Sequence, residues 1–305
     1  MLRVFVTVAL LLTATSSLAQ SVQSEGIVLL AHGGAADWNQ RVTALAATLD
    51  STQPTEVAFG MASRPAIQAA VDKLVSRGVK SIVAVPLFIS SHSSVVTSTA
   101  YLLGVREEMP PELRIFAKMN HGAHGGQSAT THEGHTAPDA TVDNTRPVNS
   151  PVPIRMTDAL NRHRLVAAIL TDRAREISTS PESETVIIVA HGPVPDEDNQ
   201  RWLQDMQALA EDVDEATSFT AIEYLTVRDD APKPIRDAAT AELRTLVQKH
   251  TNLGRRVLVV PLLLSYGGIE KGIRERLEGL EYVMAHRALM PDDRLLEWVR
   301  RSTAQ

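Results

Sequence analysis

The chain has 305 residues, 44% of them hydrophobic, a net charge of -6 and no cysteine. That is enough apolar material for two cores, while the acidic balance and the lack of a long basic run exclude nucleic acid as an expected partner. With no cysteine, disulfides and thiolate metal sites are also excluded, and any metal must be held by His, carboxylate or other oxygen and nitrogen ligands.

Arg3 is followed by the apolar "VFVTVALLL" and then by "TATSSLAQ". A short basic start, an apolar stretch and small residues at Ser17 and Ala19 read as a secretory signal over residues 1–19, cleaved after Ala19. The apolar run is well short of the ~20 residues that a spanning helix needs. The mature chain is therefore expected in the periplasm or outside the cell, with no stable membrane span once the signal is removed.

"GIVLLA" (residues 26–31) is a continuous apolar run of the kind that suits a strand buried on both faces, and it ends at His32-Gly33-Gly34. "DWNQRVTALAATLD" follows, with Trp38, Val42, Leu45 and Leu49 on one helical face. A second strand is expected over residues 55–62. A helix then begins near Ser63, with Pro65 in its first turn and Ile67, Ala70, Val71 and Leu74 on its buried side. "SIVAVPLFI" (81–89) predicts a third strand and "LRIFAKM" (113–119) a shorter fourth. Strands alternating with helices imply a parallel sheet with crossover helices.

The second half repeats the plan. "TVIIVA" (185–190) leads to His191-Gly192, and a helix over 201–213 carries Trp202, Met206 and Leu209. A strand is expected over 219–227. A helix from about Pro234 carries Ile235, Ala239, Leu243 and Leu246, and "RVLVVPLLLS" (256–265) echoes "SIVAVPLFIS". "AHGGAADWNQR" returns as "AHGPVPDEDNQR", and "ALNRHRLVAAIL" (159–170) as "ALMPDDRLLEWV" (288–299). Three echoes in one order predict an α/β protein of two similar lobes, each a small parallel sheet flanked by helices. The first lobe is expected over 25–119, a helix completing it over 154–178, and the second lobe over 184–305. Residues 120–153 have no periodicity and are rich in Gly, Thr, Ser, Pro and His, which predicts a flexible insertion.

Ligands of parallel α/β sheets bind outside the carboxyl ends of the strands. His32 and His191 fall there, each before a Gly that permits a sharp turn and close approach. His92 lies just past the third strand. If the first and third strands are neighbours, His32 and His92 leave the sheet at one edge and can share a divalent metal while leaving its other positions open. The second half has Gly267 where His92 would fall. His191 then either faces the same cleft or is a relic of duplication, and the sequence leaves both open. The insertion adds His121, His124, His132 and His135 as two His-x-x-His pairs, a composition that gathers transition metals loosely. No Gly-x-Ser-x-Gly nucleophile turn accompanies the "HGG", and Ala rather than Arg precedes both His-Gly pairs, which argues against a serine hydrolase and a histidine phosphatase. No Gly-x-Gly-x-x-Gly or Walker-type loop occurs, so no organic cofactor is expected.

The buried strand ending in "AHGG", the "NQR" downstream, the "VPLFISSH" strand and loop and the two-lobe duplication resemble the class II tetrapyrrole chelatases. The likeness is greatest to the sirohydrochlorin cobaltochelatase and ferrochelatase group, the CbiX type. This resemblance implies a metal chelatase that inserts a divalent cobalt or iron ion, itself a substrate, into a tetrapyrrole such as sirohydrochlorin bound between the lobes. It also implies that His32 and His92 bind the metal and accept the pyrrole protons. The chain departs from the family's pattern at two places. His92 stands six residues past the strand proline where many members have their His at eight, here Ser94. The loop position that often carries Glu is Met61, with Glu56 nearby on the strand. The alternative expectation is an exported, non-catalytic metal- or tetrapyrrole-binding protein on the same fold.

Overall fold

The computed structural model describes residues 25–119 and 143–304. The expected signal at 1–19 and the four histidines His121, His124, His132 and His135 lie outside the described residues.

In chain order the elements are β1 (Glu25–Ala31), α1 (Ala36–Asp50), β2 (Thr55–Phe59), α2 (Arg64–Ser76), β3 (Ser81–Pro86), α3 (Ser94–Leu102), α4 (Leu113–Met119), β4 (Ile154–Met156) and α5 (Arg164–Ile177). The second half follows with β5 (Glu184–Ala190), α6 (Asp196–Glu215), β6 (Ala221–Thr226), α7 (Lys233–Asn252), β7 (Arg256–Leu262), α8 (Ile269–Arg276), β8 (Val283–Met284) and α9 (Asp293–Thr303). Among the described residues the strands form two four-stranded sheets, ordered β2-β1-β3-β4 and β6-β5-β7-β8, with every pairing parallel. The two halves thus share one topology, as the repeated motifs predict. No helix of the described residues is long and apolar enough to cross a membrane.

Both faces of each sheet are covered, which is why the central strands are apolar throughout instead of alternating. Val28 and Leu30 of β1 face an outer layer with Ile67, Val71 and Leu74 of α2, while Ile27, Leu29 and Ala31 face a central core shared by both lobes. In the second sheet Ile187 and Val189 point outward to α7 and α8, and Val186, Ile188 and Ala190 join the same central core.

The filling of that central layer corrects one expectation. Helix α5 was expected to complete the first lobe; it packs instead on β7 and α6 of the second. Its duplicate α9 packs on β3 and α1 of the first. The halves exchange their last helices. Arg173 of α5, 2% exposed, fastens the exchange by donating to the carbonyls of Ala288 (2.8 Å) and Leu289 (3.3 Å) and to Asp292 (3.2 Å). Pattern reveals which face of a helix is apolar but not which of two like sheets it meets.

Two further expectations are corrected. "LRIFAKM" is helix α4, not the fourth strand: Leu113, Phe116 and Ala117 are buried while Ile115 is 59% exposed, the spacing of a helix and not of a strand. The fourth strand is β4, at 154–156, too short to leave a pattern. The expected insertion of 120–153 also ends earlier, for residues 143–153 are laced to the first lobe. Val148 donates to Leu102 O (2.7 Å), the Gln68 and Asn149 side-chain and backbone groups exchange two bonds, and Ile82 donates to Pro153 O (3.0 Å).

Candidate functional site

Register puts both first-lobe histidines at one edge. β1 and β3 are neighbours with Leu30 opposite Pro86, so the loops after them leave from the same carboxyl end. His32 stands at the end of β1 and is exposed; His92 lies in the β3–α3 loop and is half-buried. The His32 Nδ1–H donates to the Gly33 carbonyl at 2.7 Å. A carbonyl can only accept, so Nδ1 carries a proton, and in the neutral ring Nε2 is the nitrogen with the free lone pair. Gly33 has φ 81°, and the loop behind it is held by Asn39, which accepts from Gly34 N (2.9 Å) and donates to Gly34 O (3.1 Å). This explains the Asn of the "NQR" repeat.

The second-lobe counterpart differs. Gly192 has φ 75°, and Asn199 accepts from Thr226 Oγ1 at 2.7 Å and not from the loop backbone. His191 Nε2 lies 3.4 Å from Asp230 Oδ2. Gly267, in the place of His92, donates to the Glu270 carboxylate at 3.0 Å. The second edge carries a His–Asp pair at His191 and no histidine in the place of His92; its other histidine, the exposed His286, follows β8.

The loop holding His92 is fixed from two sides. Asn161, at φ 44°, accepts from Ser91 N (2.7 Å), and Ser91 Oγ accepts from Ala159 N (2.9 Å), so the chain before α5 braces it. From the second lobe, Trp202 Nε1 donates to the His92 carbonyl at 2.6 Å. A tryptophan of the first lobe also reaches the corresponding loop of the second, from a different place in the repeat: a Cβ on Gly267 would lie 3.3 Å from the Trp38 ring.

Beside His92 opens a cavity of about 1000 Å³, lined by Asp158, Arg162, Arg164, Asp205, Trp298 and Arg301 among others. Its size suits a large ligand. His32 is not among the lining residues. Asp205, on α6, sits at the wall. Burial pushes its carboxyl above the ordinary range, while the His92 charge, the Arg162 charge and a hydrogen bond from Ser90 pull the other way. Its Oδ2 is buried and has no hydrogen-bond partner. Such an orphaned buried oxygen costs about 1–3 kcal/mol or more. At the corresponding place in the other half, a groove of about 570 Å³ lies beside α1 and α9. There Pro291, Asp292 and Asp293 stand where the first cavity has Arg162, His163 and Arg164. Of the two cavities, the first combines a histidine of the site with several arginines.

Met61 packs against the outer core of the first lobe. Glu56 pairs with Lys73 and Arg77, both at 3.4 Å, opposite Val28 in mid-strand, so it does not replace a loop carboxylate. Among the described residues no three His, Asp or Glu side chains converge into a metal cage. Sequence reasoning missed Asp205, Asn161 and the Trp202 contact. Asp205 had a signal: it shares the apolar face of α6 with Trp202, Met206 and Leu209, and it falls where the first repeat has Leu45.

The fold and this edge define a two-lobed, chelatase-like α/β protein. SirB from Bacillus subtilis, solved with Fe3+, matches with a TM-score of 0.60 at 15% identity, over 92% of this chain and 96% of that one. The sirohydrochlorin chelatase SirB from Bacillus subtilis subspecies spizizenii, in complex with cobalt, matches with 0.53 at 14%, over 92% and 94%. DR2241 from Deinococcus radiodurans, a multi-domain protein with structural similarity to chelatases, matches with 0.50 at 17%, over 92% of this chain and 55% of that one. At such identities the likeness is one of fold. No curated protein matches the chain by sequence. The family model described as CbiX matches residues 26–177, and through that half the chain belongs to the CbiX family.

Proposed function

We propose that the protein is a metal chelatase that inserts a divalent ion, cobalt or iron, into a tetrapyrrole such as sirohydrochlorin. The observation that carries this reading is the pair His32 and His92 at the carboxyl edge of neighbouring strands, inside the half that matches CbiX.

Insertion of M2+ releases two pyrrole protons. The site must hold the ion with few ligands, so that four ring nitrogens can take it over, and must accept protons. Two imidazoles do both: neutral, they bind the metal; protonated, they cannot, so proton uptake drives transfer to the macrocycle. His32 offers Nε2 for this, since Nδ1–H is committed to Gly33. The cavity beside His92 receives the macrocycle, with Arg162, Arg164 and Arg301 facing its carboxylates. The histidines at 121, 124, 132 and 135 gather metal for the site, and the chain works in the periplasm or outside the cell after losing residues 1–19.

The test is to add Co2+ or Fe2+ and sirohydrochlorin to the protein and follow the spectrum of the metallated ring. A rate above the uncatalysed one supports the reading. A second reading, an exported protein that binds metal or tetrapyrrole without catalysis, is favoured by Met61 in the place of the family's loop Glu. It predicts binding of either component with no gain in rate.

A further inference from the structure

The first lobe lacks a loop carboxylate, yet a carboxylate reaches the same edge from the other half of the molecule. Asp205 lies on α6 of the second lobe, and His92 on the β3–α3 loop of the first; both line the one cavity. His92 is close enough for its charge to act on the Asp205 carboxylate. The two are also linked through Ser90, which accepts from His92 N at 3.1 Å and donates to Asp205. The Trp202 bond to the His92 carbonyl holds α6 against this loop, so the distance between the two residues is set by the lobe interface. Asp205 Oδ2 has no hydrogen-bond partner. The neighbours of Asp205 on its face, Trp202, Met206 and Leu209, are buried and apolar, and the duplicated position is Leu45, an ordinary residue for such a stripe. Apart from the Ser90 bond and the Arg162 charge, nothing among the described residues around this position calls for an acid.

We propose that Asp205 is a metal ligand: its free Oδ2 and the His92 imidazole grip the incoming divalent cation together, from opposite lobes. A cation at this place supplies the partner that Oδ2 lacks. Oxygen and imidazole nitrogen suit Co2+ or Fe2+, and two or three protein ligands leave most coordination positions open to the macrocycle. The lobes then must stay in register for metal to be held, which gives the exchanged helices α5 and α9 a purpose beyond packing. This inference rests on the chelatase reading for the cation's purpose, but not for its binding.

The test uses the full mature chain with His121, His124, His132 and His135 replaced by Ala, so that the insertion does not mask the cleft. Co2+ is titrated in and read by its visible absorption. Asp205→Asn, nearly isosteric and able to keep its Ser90 contact, is expected to weaken Co2+ binding about tenfold or more and to change the band. Asp205→Glu is expected to recover part of the loss, and His92→Ala to match the Asn variant. Co2+ binding by Asp205→Asn with the affinity and spectrum of its parent overturns the proposal. Should the variants fail to fold, X-ray diffraction at the cobalt edge on crystals of the unmutated chain decides it: an ion bonded to His92 without Asp205 also overturns it. If Asp205→Asn loses Co2+ but the parent fails to metallate sirohydrochlorin, the metal site stands and the chelatase reading falls. If the parent metallates and Asp205→Asn does so equally with unaltered Co2+ binding, the reverse holds.

Discussion

The Trp202 indole N–H donates to the His92 carbonyl at 2.6 Å, so a loop of the first lobe is fastened to a helix of the second. Trp202→Phe keeps an aromatic side chain but deletes the bond and, being smaller, leaves a cavity at a buried position. It is expected to cost about 2–3 kcal/mol of stability, bond and cavity together, seen as a lower urea midpoint, and to slow metallation several-fold by loosening His92. A stability loss with an unchanged rate would mean that the bond serves packing only.

The two glycines after the repeated histidines are not equally replaceable. Both sit at positive φ, but a Cβ on Gly33 would lie 3.5 Å from Phe59, an ordinary contact, while one on Gly192 would lie 2.5 Å from Thr226 Cβ. Gly33→Ala is expected to cost about 1–2 kcal/mol through backbone conformation alone. Gly192→Ala adds the clash, for a total of about 2–5 kcal/mol. Paired denaturation curves check the order.

The exchanged helices begin with different caps at equivalent positions. The His163 side chain accepts from Leu165 N, and the Asp292 side chain from Arg294 N. Burial and the Arg301 charge hold the His163 pKa below its ordinary value, against the pull of Glu297. The unfolded chain then takes up the proton first as pH falls. Stability from this cap is full above about pH 6.5 and is lost as pH drops below it. His163→Asn keeps an acceptor without a titrating group and should flatten stability across that window, by up to about 1 kcal/mol.

Asp292 acts lower on the pH scale. Burial opposes its charge, but hydrogen bonds from the Arg294 side chain and backbone, with the Arg294 and Arg173 charges, hold the carboxyl below the usual range. Its contribution is present above about pH 4 and is lost as pH falls through the folded value. Because Arg173 is buried against it, Asp292→Asn is expected to cost about 3 kcal/mol at pH 7, with the gap to the parent closing in acid. A gap that stays constant down to acid denaturation would contradict the ion pair.

Much of this molecule could be read from its residues. The apolar runs at 26–31 and 185–190 mark strands covered on both faces, and the "AHG…NQR" repeat marks two like lobes of one topology. What could not be read is the relation between lobes. Helix α5 carries an apolar face that fits either sheet, and only the packed chain reveals the exchange. "LRIFAKM" is short enough that period 2 and period 3.6 compete, and the exposure of Ile115, which decides for the helix, shows only in the folded chain. Asp205 was hidden for the same reason as the exchange: its partner His92 lies in the other half of the chain, and no local pattern joins them.

The proposed chemistry requires His32 and His92 to act on one ion at one sheet edge. The direct measurement is the initial rate at which Co2+ enters sirohydrochlorin with the unmutated protein and with the His32→Ala, His92→Ala double variant, each confirmed folded. The double variant is expected to fall to the uncatalysed rate. Turnover that matches the unmutated protein would contradict the proposed chemistry.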